Sequence, residues 1–330
     1  MENLTMKYIR NTLAPVLMIA SLSCIAVQPA AAQEKVVIFQ AFQSIQYLPL
    51  YVAMDEGLFT KRGLDVKKVT AGSGAQGVAA VIGGHADFSL QYPMTAVLAN
   101  IKGASLVNVA LVVSGVPVWM VAPKDSPIND ISDVKNQTFS SATLPSTGTY
   151  LLQNLLKERG LTDVKLVTVA IGTEISPVTA HRADIAALYQ PQVEQALFNG
   201  YKIVYDFAKQ YDGVFAFSTI DTLKSTVEKR PEMVQKFVSA IAEAESMMQK
   251  SPDIAYRVAG AEFTSLDKKV VQSAVKRMLD QKIYSATPTI SKQAFQAGLD
   301  LQVSIGNIKP GQVTWEDAVD NRFADQASNH

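Results

Sequence analysis

Short apolar runs along the chain alternate with stretches of helical period, and the alternation occurs twice. In the first set, residues 36–39 predict a strand, 49–59 a helix, 64–69 a strand, 75–82 a helix and 88–90 a strand. In the second, 138–141 predict a strand, 149–159 a helix, 164–169 a strand, 174–181 a helix and 185–188 a strand. Each set reads βαβαβ, the pattern of parallel sheets covered by helices on both faces. Pro49 and Pro177 fall in the first turn of their helices, where a missing N–H costs nothing, and Gly63 and Gly160 stand where a helix hands over to a strand.

The two sets are copies of one unit. RGLDVKKVT at 62–70 returns as RGLTDVKLVT at 159–168 with one inserted residue, and Ala86-Asp87 and Tyr92 return as Ala183-Asp184 and Tyr189, an offset of 189 − 92 = 97. Two such units facing each other with the carboxyl ends of their strands form a clamshell, whose cleft collects the loops 44–48, 71–75 and 91–92 from one lobe and 144–149, 170–173 and 189–190 from the other. Beyond Asp212 the pattern turns mainly helical, at 230–250, 268–279 and 291–304, and the Met-rich stripe of the first of these reads as packing.

Composition narrows the function. Lys+Arg and Asp+Glu both number 30 in 330 residues, which disfavours a nucleic-acid partner. Residues 1–32 carry Lys7 and Arg10, an almost uncharged stretch and then Ala30, Ala31 and Ala32. This is the pattern of a cleavable signal peptide ending at Ala32, and it predicts a periplasmic protein. The single cysteine, Cys24, lies in that segment; a lipid anchor there is the competing reading, but Ser21 stands where the usual Leu would be. The mature chain would hold no thiol for catalysis or disulfides.

Candidate chemistry gathers at the loop ends. Gly72-Ser73-Gly74-Ala75-Gln76-Gly77 satisfies GxGxxG, but the acid expected about 20 residues on is missing, since Asp87 follows Gly77 by only ten. What remains is an anion cradle of helix-start N–H groups and a hydroxyl, matched on the second lobe by Ser146, Thr147, Gly148 and Thr149, although helix capping explains any one such loop equally well. Ser44, Gln46, Tyr47, Gln91, Tyr92, Tyr189 and Gln190 complete the candidate ligand-binding set, with Phe42 beside it; Trp119 reads as core. His85 and His181 sit at the opposite strand ends, no catalytic constellation or metal-ligand spacing is found, and no cofactor is expected.

PLYVAMDEGLFTKRGLDV followed by GSGAQGVAAVIGGHADFS, together with VAPKDSPINDISDVKNQTF and KRPEMVQKFVSAIAEAESMMQKSPDIA, resembles the NMT1-like solute-binding proteins of ABC importers for nitrate, sulfonates, taurine and thiamine-precursor pyrimidines. The resemblance implies an α/β fold of periplasmic binding protein type II, a two-lobed clamshell with a hinge and extra C-terminal helices. Lobe 1 would be 33–122 and 213–330, and lobe 2 would be 123–212. It implies a monomer that delivers its ligand to an inner-membrane permease with ATPase subunits. Where many relatives have Trp-Glu-Pro, this chain has Tyr189-Gln190-Pro191, which takes a carboxylate from that position and disfavours an amine-bearing ligand. No Lys or Arg lies in the six loops, and the tyrosines offer apolar area, so an organic anion is expected over an inorganic one. A sensory receptor is the alternative role, and a pyrimidine-forming enzyme on the same fold would need the thiol that the mature chain lacks.

Overall fold

A computed structural model of the chain describes Met1 and residues 32–211 and 214–328. The expected signal peptide, apart from its end residues, lies outside the described residues, as does the expected lobe limit at Asp212. Among the described residues no helix is long and apolar enough to cross a membrane.

Among the described residues ten strands form two five-stranded sheets. The first contains β1 (Glu34–Gln40), β2 (Leu64–Thr70), β3 (Phe88–Gln91), β4 (Leu106–Val113) and β10 (Ser218–Leu223); the second contains β5 (Trp119–Pro123), β6 (Thr138–Ala142), β7 (Lys165–Val169), β8 (Ile185–Leu188) and β9 (Tyr201–Asp206). Their orders, β2-β1-β3-β10-β4 and β7-β6-β8-β5-β9, are the same order written twice. Helices pack around both sheets, giving a two-lobed α/β clamshell.

The sheets are mixed, which corrects the expectation of wholly parallel ones. β1 runs parallel to β2 and β3, and β6 to β7 and β8, but β10 lies antiparallel between β3 and β4, and β5 antiparallel between β8 and β9. The reason is the path of the chain: each reversed strand is the first one laid down after the chain crosses from the other lobe. β5 therefore pairs in the second sheet ahead of the limit expected at 123, with Trp119 opposite Leu188. The segment beyond 212 likewise begins with a strand, β10, before its helices.

The repeated Ala-Asp pair has a structural task. Asp87 Oδ2 accepts the N–H of Val37 at 2.8 Å, and Asp184 Oδ2 accepts the N–H of Thr138 at 2.7 Å, so each carboxylate ties the third strand of its unit to the first. Arg230 adds a further bond to Asp87 in the first lobe alone. Gly63 and Gly160, at φ +75° and +64°, make the turn into β2 and the matching turn ahead of β7, which a side chain would strain. The first expected helix stops early, at Leu48–Asp55, because Gly57 at φ +64° ends it.

The core runs beneath both sheets. Every residue of β4 is buried, and Phe237 of the 20-residue helix Pro231–Lys250 stacks on Phe59 and Phe88 with ring centroids 4.7 and 4.3 Å apart. That helix buries Met233, Val234, Phe237, Val238, Ile241, Ala244 and Met248, the stripe expected to be packing.

Candidate ligand-binding cleft

The carboxyl ends of β1, β3, β6 and β8 converge on a cavity of about 30 Å³ between the lobes. That is room for a couple of water molecules. The first lobe contributes Ala41, Phe42, Gln46, Tyr47, Gly74, Gln91, Tyr92 and Thr95, with Phe217 and Ser218 from the chain entering β10; the second contributes Pro145, Ser146, Thr147, Ile171 and Tyr189. Among the described residues no lysine, arginine or histidine stands on this wall.

Eight of the residues singled out from sequence meet here: Gln46, Tyr47, Gly74, Gln91, Tyr92, Ser146, Thr147 and Tyr189. The other six lie behind or beside the wall, and most of their polar groups are engaged elsewhere, the Oε1 atom of Gln190 being buried without a partner. Ser73 caps its own helix by accepting the N–H of Gln76, and Gly72 precedes it in the exposed part of the turn at φ +90°. Thr149 donates to Ala142 O at 2.5 Å and shares a bond with Ser141 Oγ at 2.7 Å. The N–H of Gly148 donates to Tyr189 Oη at 3.0 Å. Ser44 donates to the carbonyl of Gln190 at 2.6 Å, a bond that joins one lobe to the other.

Tyr189 organises the second-lobe wall. Its hydroxyl accepts from Gly148 at the start of the helix Thr147–Glu158 and pairs with Ser146 Oγ at 3.0 Å, doing for that helix what a capping side chain does elsewhere. When Ser146 donates, the phenolic proton of Tyr189 is left for a ligand. Burial pushes this phenol well above its ordinary range, and the nearby Glu174 carboxyl pushes it further, so it stays a donor. Phe42 meets the ring edge-on from the first lobe at 5.2 Å. Burial lifts Tyr47 to about 12, and it too stays protonated.

Two buried carboxyls sit behind the wall, and neither was singled out from sequence. Asp221 of β10 accepts Ser89 Oγ at 2.8 Å on Oδ2 and Gln91 Nε2 at 2.7 Å on Oδ1, and burial lifts it from 3.8 to about 7. Glu174 was expected to open a helix, but the helix covers only Ser176–Thr179. Its side chain turns back to accept the N–H of Gly172 at 2.9 Å, leaving Oε1 without a partner, and burial lifts the acid from 4.5 to about 7.

Further bonds cross between the lobes outside the cavity. Arg277 of the C-terminal helices donates to Glu194 at 2.5 Å, and Glu194 also accepts Gln190 Nε2 at 3.2 Å. Gln281 reaches Asp206 at 2.7 Å, and on another rim Ser304 donates to Asn154 at 2.5 Å. Phe42 stands on the wall as its place beside the candidate set suggested, whereas Ala41, Thr95, Phe217 and Ser218 went unnoticed; the alternation Phe215, Phe217 was the available signal for a strand beginning there.

A family model described as NMT1/THI5 like matches residues 44–255. "Putative binding protein YtlA" of Bacillus subtilis strain 168 is 23% identical over 305 residues, covering 89% of this chain and 90% of the relative. The alkanesulfonate-binding protein SsuA from Xanthomonas axonopodis pv. citri, solved bound to MOPS, superposes with a TM-score of 0.72 at 17% identity, over 90% of this chain and all of that one. The desulfurization enzyme DSZB superposes at 0.68 with 12% identity, over 90% and 99% of the two chains. At such identities these structures speak for the fold, and the fold carries both binders and an enzyme.

Proposed function

The chain belongs to the NMT1/THI5-like family, and from that premise we propose that it is the substrate-binding component of an ABC importer. It captures a small organic anion between its lobes in the periplasm and delivers it to a permease driven by ATPase subunits. The observation that carries this reading is the wall of the cleft: hydroxyl and helix-start donors from Ser146, Thr147 and Tyr189 face aromatic rings from Phe42, Tyr47 and Tyr92. Donors of this kind hold an anion without a cation, and the rings hold its apolar body at about 25 cal/mol per Å². The buried Asp221 and Glu174 carboxyls are each lifted to about 7, so both are partly neutral at neutral pH and repel an anion less than two full charges would.

The candidate site residues and the lobe limits belong to this proposal, with the second lobe starting by Trp119, whose strand pairs only within the second sheet. The protein binds and releases its ligand unchanged. The test is thermal unfolding of the processed chain with alkanesulfonates, aromatic and aliphatic carboxylates, nitrate and pyrimidines. A ligand at 100 times its dissociation constant adds about 2.7 kcal/mol. A raised melting temperature with an organic acid supports the reading, and a rise with neutral or cationic compounds alone overturns it.

A further inference from the structure

The two walls of the cleft differ in polarity. The second lobe presents hydroxyls and the start of a helix, all able to donate. The first presents Gln46 and Gln91, each 1% exposed, and in each the Oε1 atom is buried without a partner. A bare buried acceptor is costly, because the water it lost on burial has not been replaced by any donor. Other buried acceptors also lack partners, Gln190 Oε1 and Glu174 Oε1 of the second lobe among them, but among the described residues Gln46 and Gln91 alone carry theirs on the cavity wall, where a donor arriving from a ligand would satisfy them.

Gln91 is not free to turn its amide round. Asp221 takes its Nε2 at 2.7 Å on one oxygen and Ser89 on the other, so an ionised Asp221 can only accept and Gln91 must give it the NH₂ end. The carbonyl end is then held over Gly74 at the start of the helix Gly74–Ile82, where a Cβ would come within 2.7 Å of Oε1. Glycine at position 74 is what lets this amide lie against the backbone. Three residues from two strands and a helix start thus fix a single acceptor in the first-lobe wall.

We infer that the ligand carries an N–H or O–H donor on the side opposite its acid group, and that Asp221 is the positioning residue for this specificity, acting through the fixed amide of Gln91. The acid group meets the donors of the second lobe and the donor meets the acceptors of the first, so the ligand is polar at both ends and orients itself on closure. This rests on the organic-acid reading above and narrows it to hydroxy- or amide-bearing acids. A site built to bond a hydroxyl discriminates strongly against an analogue that lacks it, because its own polar group is left bare.

The test compares two isosteric pairs, 2-hydroxyethanesulfonate with propane-1-sulfonate and glycolate with propionate, by calorimetry at pH 8.5, where Asp221 is ionised. The hydroxyl member is expected to bind at least tenfold more tightly in at least one pair. Asp221→Asn supplies an amide that can donate to Gln91 and let it rotate, and this variant should reduce the ratio to under about threefold; Gln91→Leu should do the same without touching Asp221. A merely structural role would weaken both members alike and leave the ratio where it was. The inference is overturned if the methyl member binds as well as the hydroxyl member, or if neither variant moves the ratio. If no member of either pair binds, the organic-acid reading has failed and the inference falls with it.

Discussion

The two lobes follow the same strand order, yet they meet the cleft with different chemistry. After β2 the chain turns at Gly72 and after β7 at Gly172, both at φ +90°, so the backbone makes the same turn in both lobes. Two residues further on the lobes part company. Gly74 begins a nine-residue helix and leaves room for the Gln91 amide; Glu174 turns a carboxyl inward and only a four-residue helix follows. The repeat therefore holds the frame, through the paired glycines and the Asp87 and Asp184 anchors, while the side chains over the strand ends are free to differ. A ligand gripped by two unlike walls can be read at both ends, which two identical walls would not do.

The largest effect expected concerns the buried acids, one from each lobe. Asp221 and Glu174 have folded values of about 7 against ordinary values of 3.8 and 4.5, so the folded chain holds more protons than the unfolded one across that window. Their contribution is present below about pH 4 and is lost as pH rises through 7, by roughly 4 kcal/mol for Asp221 and roughly 3 kcal/mol for Glu174. Asp221→Asn and Glu174→Gln should each raise stability by a few kcal/mol at pH 8.5 and by little at pH 4, as read from urea unfolding. An equal gain at both pH values would show that ionisation is not the cause.

The anchors test the shared frame. Asp184→Ala removes a charge-assisted bond to Thr138 N–H, and Asp87→Ala removes the same bond to Val37 N–H; hydrogen bonds to charged groups are worth about 1.5–3 kcal/mol, and exposure at these sites points to the lower half. The loss should be similar in the two lobes, with Asp87 costing at most about 1 kcal/mol more for its half-exposed Arg230 partner. A cost at only one of the two would break the equivalence.

Thr147 and Ser73 stand on opposite lobes in similar motifs, and the structure separates them. Thr147 lines the cavity, whereas Ser73 caps Gln76 and stays off the wall. Thr147→Val should weaken ligand binding about tenfold with little change in melting temperature. Ser73→Ala should cost about 1 kcal/mol of stability, the worth of a cap, and leave affinity within about twofold. Calorimetry and thermal unfolding on the same two proteins decide it, and equal losses of affinity would return Ser73 to the site.

These contrasts mark where the sequence was readable. Hydrophobic period finds β1, β2, β3, β7 and β8, and the repeat finds β6, whose TFSSA buries Ser140 and Ser141. β10 is STIDTL, with Ser218, Thr219, Asp221 and Thr222 all buried, and no hydropathy pattern reveals a central strand whose buried positions are polar. Asp221 stayed hidden with it. Glu174 misled for another reason: an acid at a helix start is favoured by the helix dipole, and only the folded loop shows that it bonds Gly172 instead. Gly148 and Thr149 carried the right residue types at the right loop, but their donors serve Tyr189 and Ala142.

The smallest effect expected is at the contact between the lobes themselves. Ser44 of the first lobe donates to Gln190 O of the second at 2.6 Å, and both residues are fully buried, so the bond exists only when the cleft is closed. A ligand's apparent affinity falls in proportion to the population of the competent state, so removing a closed-state bond worth about 0.5–1.5 kcal/mol should weaken binding by roughly two- to tenfold. Ser44→Ala should do this while leaving the Thr147 and Tyr189 donors in place, and it should raise the radius of gyration of the ligand-free protein in small-angle scattering. Saturating ligand should restore the compact radius, because the remaining cross-lobe bonds from Arg277 to Glu194 and from Gln281 to Asp206 are untouched. If Ser44→Ala changes neither radius nor affinity, closure is held by the rims alone, and the loop after β1 is a wall of the cleft and not a latch.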